Sequence, residues 1–558
     1  MNVKRYSIEG EGRDELGRRY FRIAVKGSQT PITIPADCIV TDPSKLFAAL
    51  SNAGVNLFST KSKSALLAEL QSFSADKPSF RVITKLGHSG RQFVLPTQTF
   101  GTSKLPTVVV LDHLDPAMVA KYRSRGTLEE WQTLIAGPAY GNSRPMFGLA
   151  LALTGPTLPY VKGPRTGGFQ ISGRAETGKT AVAMVAGSVW GCHVGAERQE
   201  KGSVESWHST AGKIETTALA HNGTVLILDE TQRAGRNARH RAEVISDVAF
   251  SLAEGIERER MTNTSSARAW SFYYLSTSNL TFSELARRGG IEIDDAYLGR
   301  LFDIPCPDSA HGIYDTLHEF QNGERLTDAL KQRCRRSFGT AGPEFARLLV
   351  EHRDRDRAGL KRLLAKYRAR YRKALRKAVK AEGLRSLTRT DSRFATVYAA
   401  GCLAIRYGIL PWSRKRLLLA ILYCQLAGLR QLAREPRTGE PSEAALRTKL
   451  VGYLRDKRES FADLGSRRPR KGVADLEDAA GYLGSDREAG WYYLTDKKLR
   501  TIIGNGPNAV ALKGRLLEQN LMAKPKQGFV IQRKIFAGGK GNQNYAWVCA
   551  FKPEIVDA

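Results

Sequence analysis

Long uncharged apolar runs are missing from this sequence. No stretch of about 18 such residues occurs, which argues against a membrane-spanning helix. The start, MNVKRYSIEGEGRDELG, has no apolar core of the kind a secretory signal carries, so the chain is expected in the cytoplasm. Cysteine is sparse and scattered, with seven residues at 38, 192, 306, 334, 402, 424 and 549 and no CxxC pair. An odd, dispersed set argues against a disulfide framework and against a zinc knuckle. The nine histidines show no HExxH or paired metal spacing, so Cys and His read as structural. Acidic residues are short relative to basic ones, 55 against 86, leaving a net charge of +31. Such a surplus concentrates polyanions and releases their counterions on contact, which points to a nucleic-acid partner. No primase, nuclease or polymerase signature appears, so any such activity comes from another chain.

What is present exceeds one hydrophobic core: 558 residues imply about three or four domains. Residues 1–125 read as a β-rich N-terminal domain. RRYFRIAVKG and SFRVITKLGHSGRQFVLP alternate, GHSG reads as a hairpin turn, and PTVVVLD is a further strand. From about 126 the pattern changes. TLEEWQTLIAG opens with Thr127 and Glu130, a capping-box signature. An apolar helix, a Gly/Pro-rich link, the short strand FQIS and the small-residue helix TAVAMVAGSVWG follow. NGTVLILDE and SFYYLSTSN are continuous apolar strands, and their alternation with helices over 126–310 implies a parallel sheet covered on both faces. Residues 311–440 read as helical, and 353–380 carries thirteen Lys or Arg over an apolar stripe spaced by threes and fours. REPRTGEPSE is a linker candidate and GSRRPRKG a basic loop. In 441–558, two helical stretches precede two strands about a glycine turn, the order of a winged-helix module. Lys497, Lys498 and Arg500, or the turn near Lys540, are its candidate DNA contacts. Trp491, Tyr492 and Tyr493 read as core rather than as a stacking platform.

Between FQIS and the next helix lies GRAETGKT, which completes the pattern GxxxxGK[ST] at Gly173, Gly178, Lys179 and Thr180. Glycines let backbone N–H groups, with that of Thr177 among them, turn inward around phosphates. Lys179 reaches the β- and γ-phosphates of ATP, and the Thr180 hydroxyl ligates Mg²⁺. Asp229, ending an apolar strand about fifty residues on, suits the Mg²⁺ shell, and Glu230 beside it suits the orientation or activation of water. Thr277 and Asn279 end the next strand; Asn279 is the first choice for sensing the γ-phosphate. Arg300, in DAYLGRLFDIP, is placed to reach a neighbouring subunit's nucleotide.

TLEEWQTLIAGPAYGN, GGFQISGRAETGKT, SVWG, NGTVLILDE, YYLSTSN, FGTAGPEFARLLV and RFATVYAAGCLAIRYGILPW occur in order over about 126–412. Together they resemble the helicase-like family called Domain of Unknown Function 927, with a weaker extension into the tail. The resemblance implies a multidomain α/β protein with an AAA+ P-loop core, a helical lid and a ring-forming habit related to minichromosome-maintenance helicases of phages and mobile elements. It implies a homo-hexamer translocating on single-stranded or forked DNA, replicative in role, with a separate primase or polymerase as partner. GRLFDIP is similar to the segment that carries the arginine finger in minichromosome-maintenance proteins, which favours Arg300. GIERERMTNTSSARAW lies where those proteins place a DNA-contacting hairpin, making Arg258 and Arg260 candidate pore residues. Glu257 and Glu259 alternate with them, a departure from a purely basic hairpin. The rival reading is an ATP-switched signalling or anti-phage defence protein that binds DNA without unwinding it.

Overall fold

The computed structural model describes residues 5–57, 59–111, 116–191, 204–207, 211–256, 269–291, 295–434, 443–463, 480–525, 528–536 and 543–557. The chain divides into two compact units, residues 1–429 and 430–558. It is a multidomain α/β protein.

The first unit begins with a sheet. Strands β1 (Tyr6–Arg13), β2 (Arg19–Val25) and β3 (Ile32–Pro35) run antiparallel, and β4 (Phe80–Ile83) lies parallel to β1. Helices Pro43–Asn52 and Thr60–Ser72 bury Leu46, Leu50, Leu66 and Leu70 against Phe21, Ile23 and Val25. The region read as β-rich thus also holds helices, and period-four leucines on these two supply the lid over one face of the sheet. GHS is itself a strand, β5 (Gly87–Ser89), and the turn follows it, before β6 (Gln92–Val94). A short β7 (Thr99–Phe100) completes that small sheet, while β8 (Thr107–Val109) pairs with β4. His88 explains the shift from turn to strand. Its Nε2 sits 2.8 Å from the Pro156 carbonyl, and its ring packs edge-on against Phe93 and Tyr160. The hairpin is therefore pinned onto the region after it, where Phe93 also stacks on Trp190 and Asn222 Nδ2 donates to the Leu86 carbonyl.

The central sheet is parallel, with strands β9 (Thr166–Ser172), β10 (Glu205–Ser206), β11 (Val225–Asp229), β12 (Phe272–Ser278) and β13 (Leu301–Pro305) in the order β10-β11-β12-β9-β13. The apolar runs are continuous because helices cover both faces. Leu226, Leu228, Phe272 and Tyr274 meet Ile245, Val248 and Leu252 of helix Ala238–Glu254 on one face. Phe169 meets Phe147 of helix Ser143–Ala152 and Phe394 of helix Thr388–Arg406 on the other. The Thr127–Glu130 capping box forms in both directions. Beyond the sheet the unit is helical, with Gly323–Arg336, the long helix Ala341–Ala381 and the start of Arg414–Arg434.

The second unit carries β14 (Ala462–Asp463), β15 (Tyr482–Leu483), β16 (Tyr492–Thr495), β17 (Ile531–Phe536) and β18 (Gln543–Phe551) in the order β14-β15-β16-β18-β17. Helices Glu443–Asp456, Asp496–Ile503 and Pro507–Glu518 pack Leu446, Leu450, Leu454, Leu499, Leu512 and Leu516 into its core. Tyr492 and Tyr493 are buried there. Linker residues 435–442, the basic loop at 465–472 and the turn near Lys540 lie outside the described residues.

Candidate functional site

In a parallel sheet, ligands bind beyond the carboxyl ends of the strands, where the strand order reverses. Here that point is β9: the chain leaves it for β10, returns through β11 and β12, then crosses to β13 on its other side. GRAETGKT emerges at this point. Gly173 has φ +154° and Gly178 φ +93°, and helix Lys179–Gly187 starts immediately after. A Cβ on Gly173 would come within 2.7 Å of the Cys306 Cβ, so only glycine fits beside β13. Glu176, at φ +62°, is one of four non-glycine residues with positive φ among the described residues. Glu230, also +62°, is another, so half of this strained set lies at one edge of one sheet.

The loop is held from outside by a segment that follows β13. The Cys306 amide donates to the Ser172 carbonyl at 2.7 Å, and the Ile313 amide donates to the Thr177 carbonyl at 2.8 Å. Thr177 Oγ1 lies 3.5 Å from Cys306 Sγ. Lys179 is 8% exposed and folds over the loop, donating to the Gly173 carbonyl at 2.9 Å and to the Arg174 carbonyl. Burial pushes its ammonium below the usual lysine range, while Cys306 and Asp229 oppose the shift. Thr180 follows it in the first turn of the helix, half-buried.

Register places the acids at the same edge. Leu228 pairs with Ser276 and Ser278 with Ser172, so Asp229, Thr277 and Ile171 stand side by side across three strands. Strand spacing sets β9 and β11 about 10 Å apart, room for a polyphosphate between them. Thr277 is the hub. Its hydroxyl donates to Asp229 Oδ1 and accepts from the Glu230 amide at 3.0 Å. Glu230 pairs through its carboxylate with Arg233. Asn279 follows the end of β12 and is exposed. The structure therefore brings Gly173, Thr177, Gly178, Lys179, Thr180, Asp229, Glu230 and Asn279 to one sheet edge.

Arg300 is not among them. It directly precedes β13, whose Leu301 pairs with Gly168 near the start of β9. Six strand residues at about 3.3 Å each put its backbone ~20 Å from its own loop, at the opposite edge. Its guanidinium lies 3.8 Å from the Phe250 ring centroid. Its carbonyl accepts from Arg393, a fully buried residue of helix Thr388–Arg406. Arg393 also donates to the carbonyls of Gly168 at 3.1 Å and Gly299 at 2.8 Å, fixing the segment that carries Arg300. Burial lowers its guanidinium to about 10. Sequence reading missed Arg393, Thr277's double role and the Cys306–Ile313 buttress. A lone arginine in the small-residue helix RFATVYAAGCLA was the available signal for the first.

Arg258 and Arg260 lie outside the described residues. Lys497, Lys498 and Arg500 sit on helix Asp496–Ile503: Lys497 is exposed, Lys498 half-buried, and Arg500 pairs with Asp496 at 2.6 Å. Among the described residues, no helix is long and apolar enough to cross a membrane.

The chain resembles a solved structure of the active helicase Cch of SCCmec type IV, at 14% identity and TM-score 0.58, covering 99% of this chain and 95% of that one. At that identity the likeness is one of fold. No curated protein matches. The model of the family Domain of unknown function (DUF927) matches residues 4–271. The match begins well before the motifs at 126–412 that carry the resemblance, and it takes in the N-terminal sheet and the hairpin pinned by His88. Residues 4–271, 268 of the 558, are thus similar to the DUF927 family.

Proposed function

We propose that this chain is an ATP-hydrolysing DNA helicase or translocase of replication-initiator type, carried by a phage or mobile element and working as a homo-hexameric ring with ATP between subunits. The observation that carries the reading is the single sheet edge shared by the loop, Asp229, Glu230 and Thr277. The AAA+ core over 126–310, the lid over 311–440 and the winged-helix module over 441–558 belong to the same proposal, and the likeness of fold to an active helicase supports it.

The donor set fits Mg²⁺. Thr180 offers a hydroxyl and Asp229 one carboxylate, and among the described residues no cluster of three or more His, Cys, Asp or Glu could hold an ion. Magnesium commonly takes one or two carboxylates and completes its shell with substrate phosphates and water. Bound there, it would neutralise charge on the β- and γ-phosphates. The loop amides cradle the phosphates, and Lys179 exchanges its two loop carbonyls for phosphate oxygens. Glu230 orients water and accepts its proton, with its backbone held by Thr277. Asn279 senses the γ-phosphate. Arg300, too far from its own loop, serves the next protomer's nucleotide. Arg258, Arg260, Lys497, Lys498 and Arg500 are the DNA contacts of this reading, and a primase or polymerase on another chain its replication partner.

Phosphate release measured with and without single-stranded or forked DNA tests the reading. Lys179→Ala and Glu230→Gln are expected to abolish turnover; unchanged turnover in a clean Glu230→Gln preparation refutes the assignment of the base. Turnover indifferent to DNA favours the ATP-switched signalling or defence reading.

A further inference from the structure

The long helix Ala341–Ala381 breaks at Asp356, where φ is −151°. Beyond that break, residues 357–381 contain no Asp or Glu. Leu360, Leu364, Tyr367, Tyr371 and Leu375 are buried along one side. Arg368 is buried with them and donates to Ser392 Oγ at 2.8 Å. The other side is exposed and cationic: Arg362, Lys366, Arg370, Lys373, Lys377 and Lys380 follow one another at steps of four, four, three, four and three. Residues at that spacing lie in one line along a helix. The line is about 27 Å long at 1.5 Å per residue, most of one turn of B-form DNA.

We propose that this line is a track for the phosphate backbone of duplex DNA, separate from the nucleotide site. Like-charged neighbours three or four apart destabilise a helix. Elsewhere several helical cations are offset by acids at that spacing: Arg239–Glu243, Arg288–Glu284, Arg347–Glu344, Arg347–Glu351 and Arg500–Asp496. On the track, among the described residues, there is one ion pair, Arg362–Asp356 at 3.8 Å. A face that is merely solvated needs no such segregation; a face that meets a polyanion does.

The occupant follows from what the face omits. None of the exposed large hydrophobics lies on it, so it lacks the apolar or aromatic anchors of a protein interface. Its two tyrosines are buried, so it offers no platform for the bases of a single strand. Cations alone suffice for a duplex backbone. Arg414 donates to the hydroxyl of Tyr367 on this helix at 3.2 Å, so the exposed Arg414, Lys415 and Arg416 border the track.

The inference rests on the reading that DNA is the partner, but not on ATP hydrolysis. The test is fluorescence anisotropy of the full chain with a random-sequence duplex of about three turns, without nucleotide, from about 50 to 300 mM salt. The variant carries Lys366→Gln, Arg370→Gln, Lys373→Gln and Lys377→Gln. At a slope of about 0.9 per phosphate contact, its log K against log salt should be shallower by about 3 to 4. Arg362→Gln with Lys380→Gln should lower the slope by about 2. DNA-free phosphate release should be unchanged, and the melting temperature without DNA should hold or rise, since repulsion is relieved. An unchanged duplex slope, a wild-type chain that does not bind duplex, or a loss confined to single strands overturns the track. Absent ATP turnover in both proteins, with the slope change intact, would instead sink the ATPase reading alone.

Discussion

The sharpest consequence of the strand register concerns Arg300. It stands about 20 Å from the loop of its own chain, because β9 separates the two along its whole length. If it neutralises transition-state charge, it does so in the neighbouring protomer. Arg300→Ala alone should cut turnover by about 10³-fold or more. Lys179→Ala alone should abolish it. Neither protein is active, yet a mixture should be. In a ring drawn at random from equal amounts, an interface works when its loop comes from the Arg300→Ala protomer and its arginine from the Lys179→Ala protomer. Each condition holds half the time, so about a quarter of wild-type turnover returns if interfaces act independently. The assay is phosphate release across mixing ratios, with subunit exchange allowed before ATP is added. Turnover should peak at equal amounts and vanish at either end. A mixture that stays inactive at every ratio, with both proteins folded and assembled, refutes action in trans.

Thr277→Val keeps the shape but removes the hydroxyl that joins Asp229 to the Glu230 amide. Loss of one charge-assisted bond, about 1.5–3 kcal/mol, should lower turnover about 10- to 100-fold in a protein that still binds nucleotide by fluorescent-analogue titration. Gly173→Ala meets both a φ of +154° and the Cys306 Cβ, so nucleotide binding should be lost in the same titration, while Gly452→Ala, at no positive φ and with nothing within 4 Å, leaves it intact. His221 is buried, and burial, with Lys121 adding to it, pushes its imidazole down to about 3. The unfolded chain therefore binds one more proton than the folded chain between about pH 6.5 and 3. Stability is fully present above that window and falls with falling pH by about 1.4 kcal/mol per unit. Urea unfolding of His221→Phe should lack this component of the acid slope.

Three of the five strands of the central sheet, and the loop between the first of them and its helix, are legible in the residues alone. β9, β11 and β12 are read directly because a strand covered on both faces is an unbroken apolar run, and glycine spacing is local geometry. Asp229 and Glu230 were legible for the same reason: acids that end such a run must lie at a sheet edge. What depends on residues distant in the chain came only with the packed fold. Strand order put Thr277 beside Asp229 and Arg300 at the far edge, and packing brought Arg393 from more than two hundred residues away onto the Gly168 carbonyl. GHS became a strand because His88 found the Pro156 carbonyl and two aromatic rings. Periodicity records which side of an element is buried; it carries no record of which partner buries it, and that partner sets where each site residue stands.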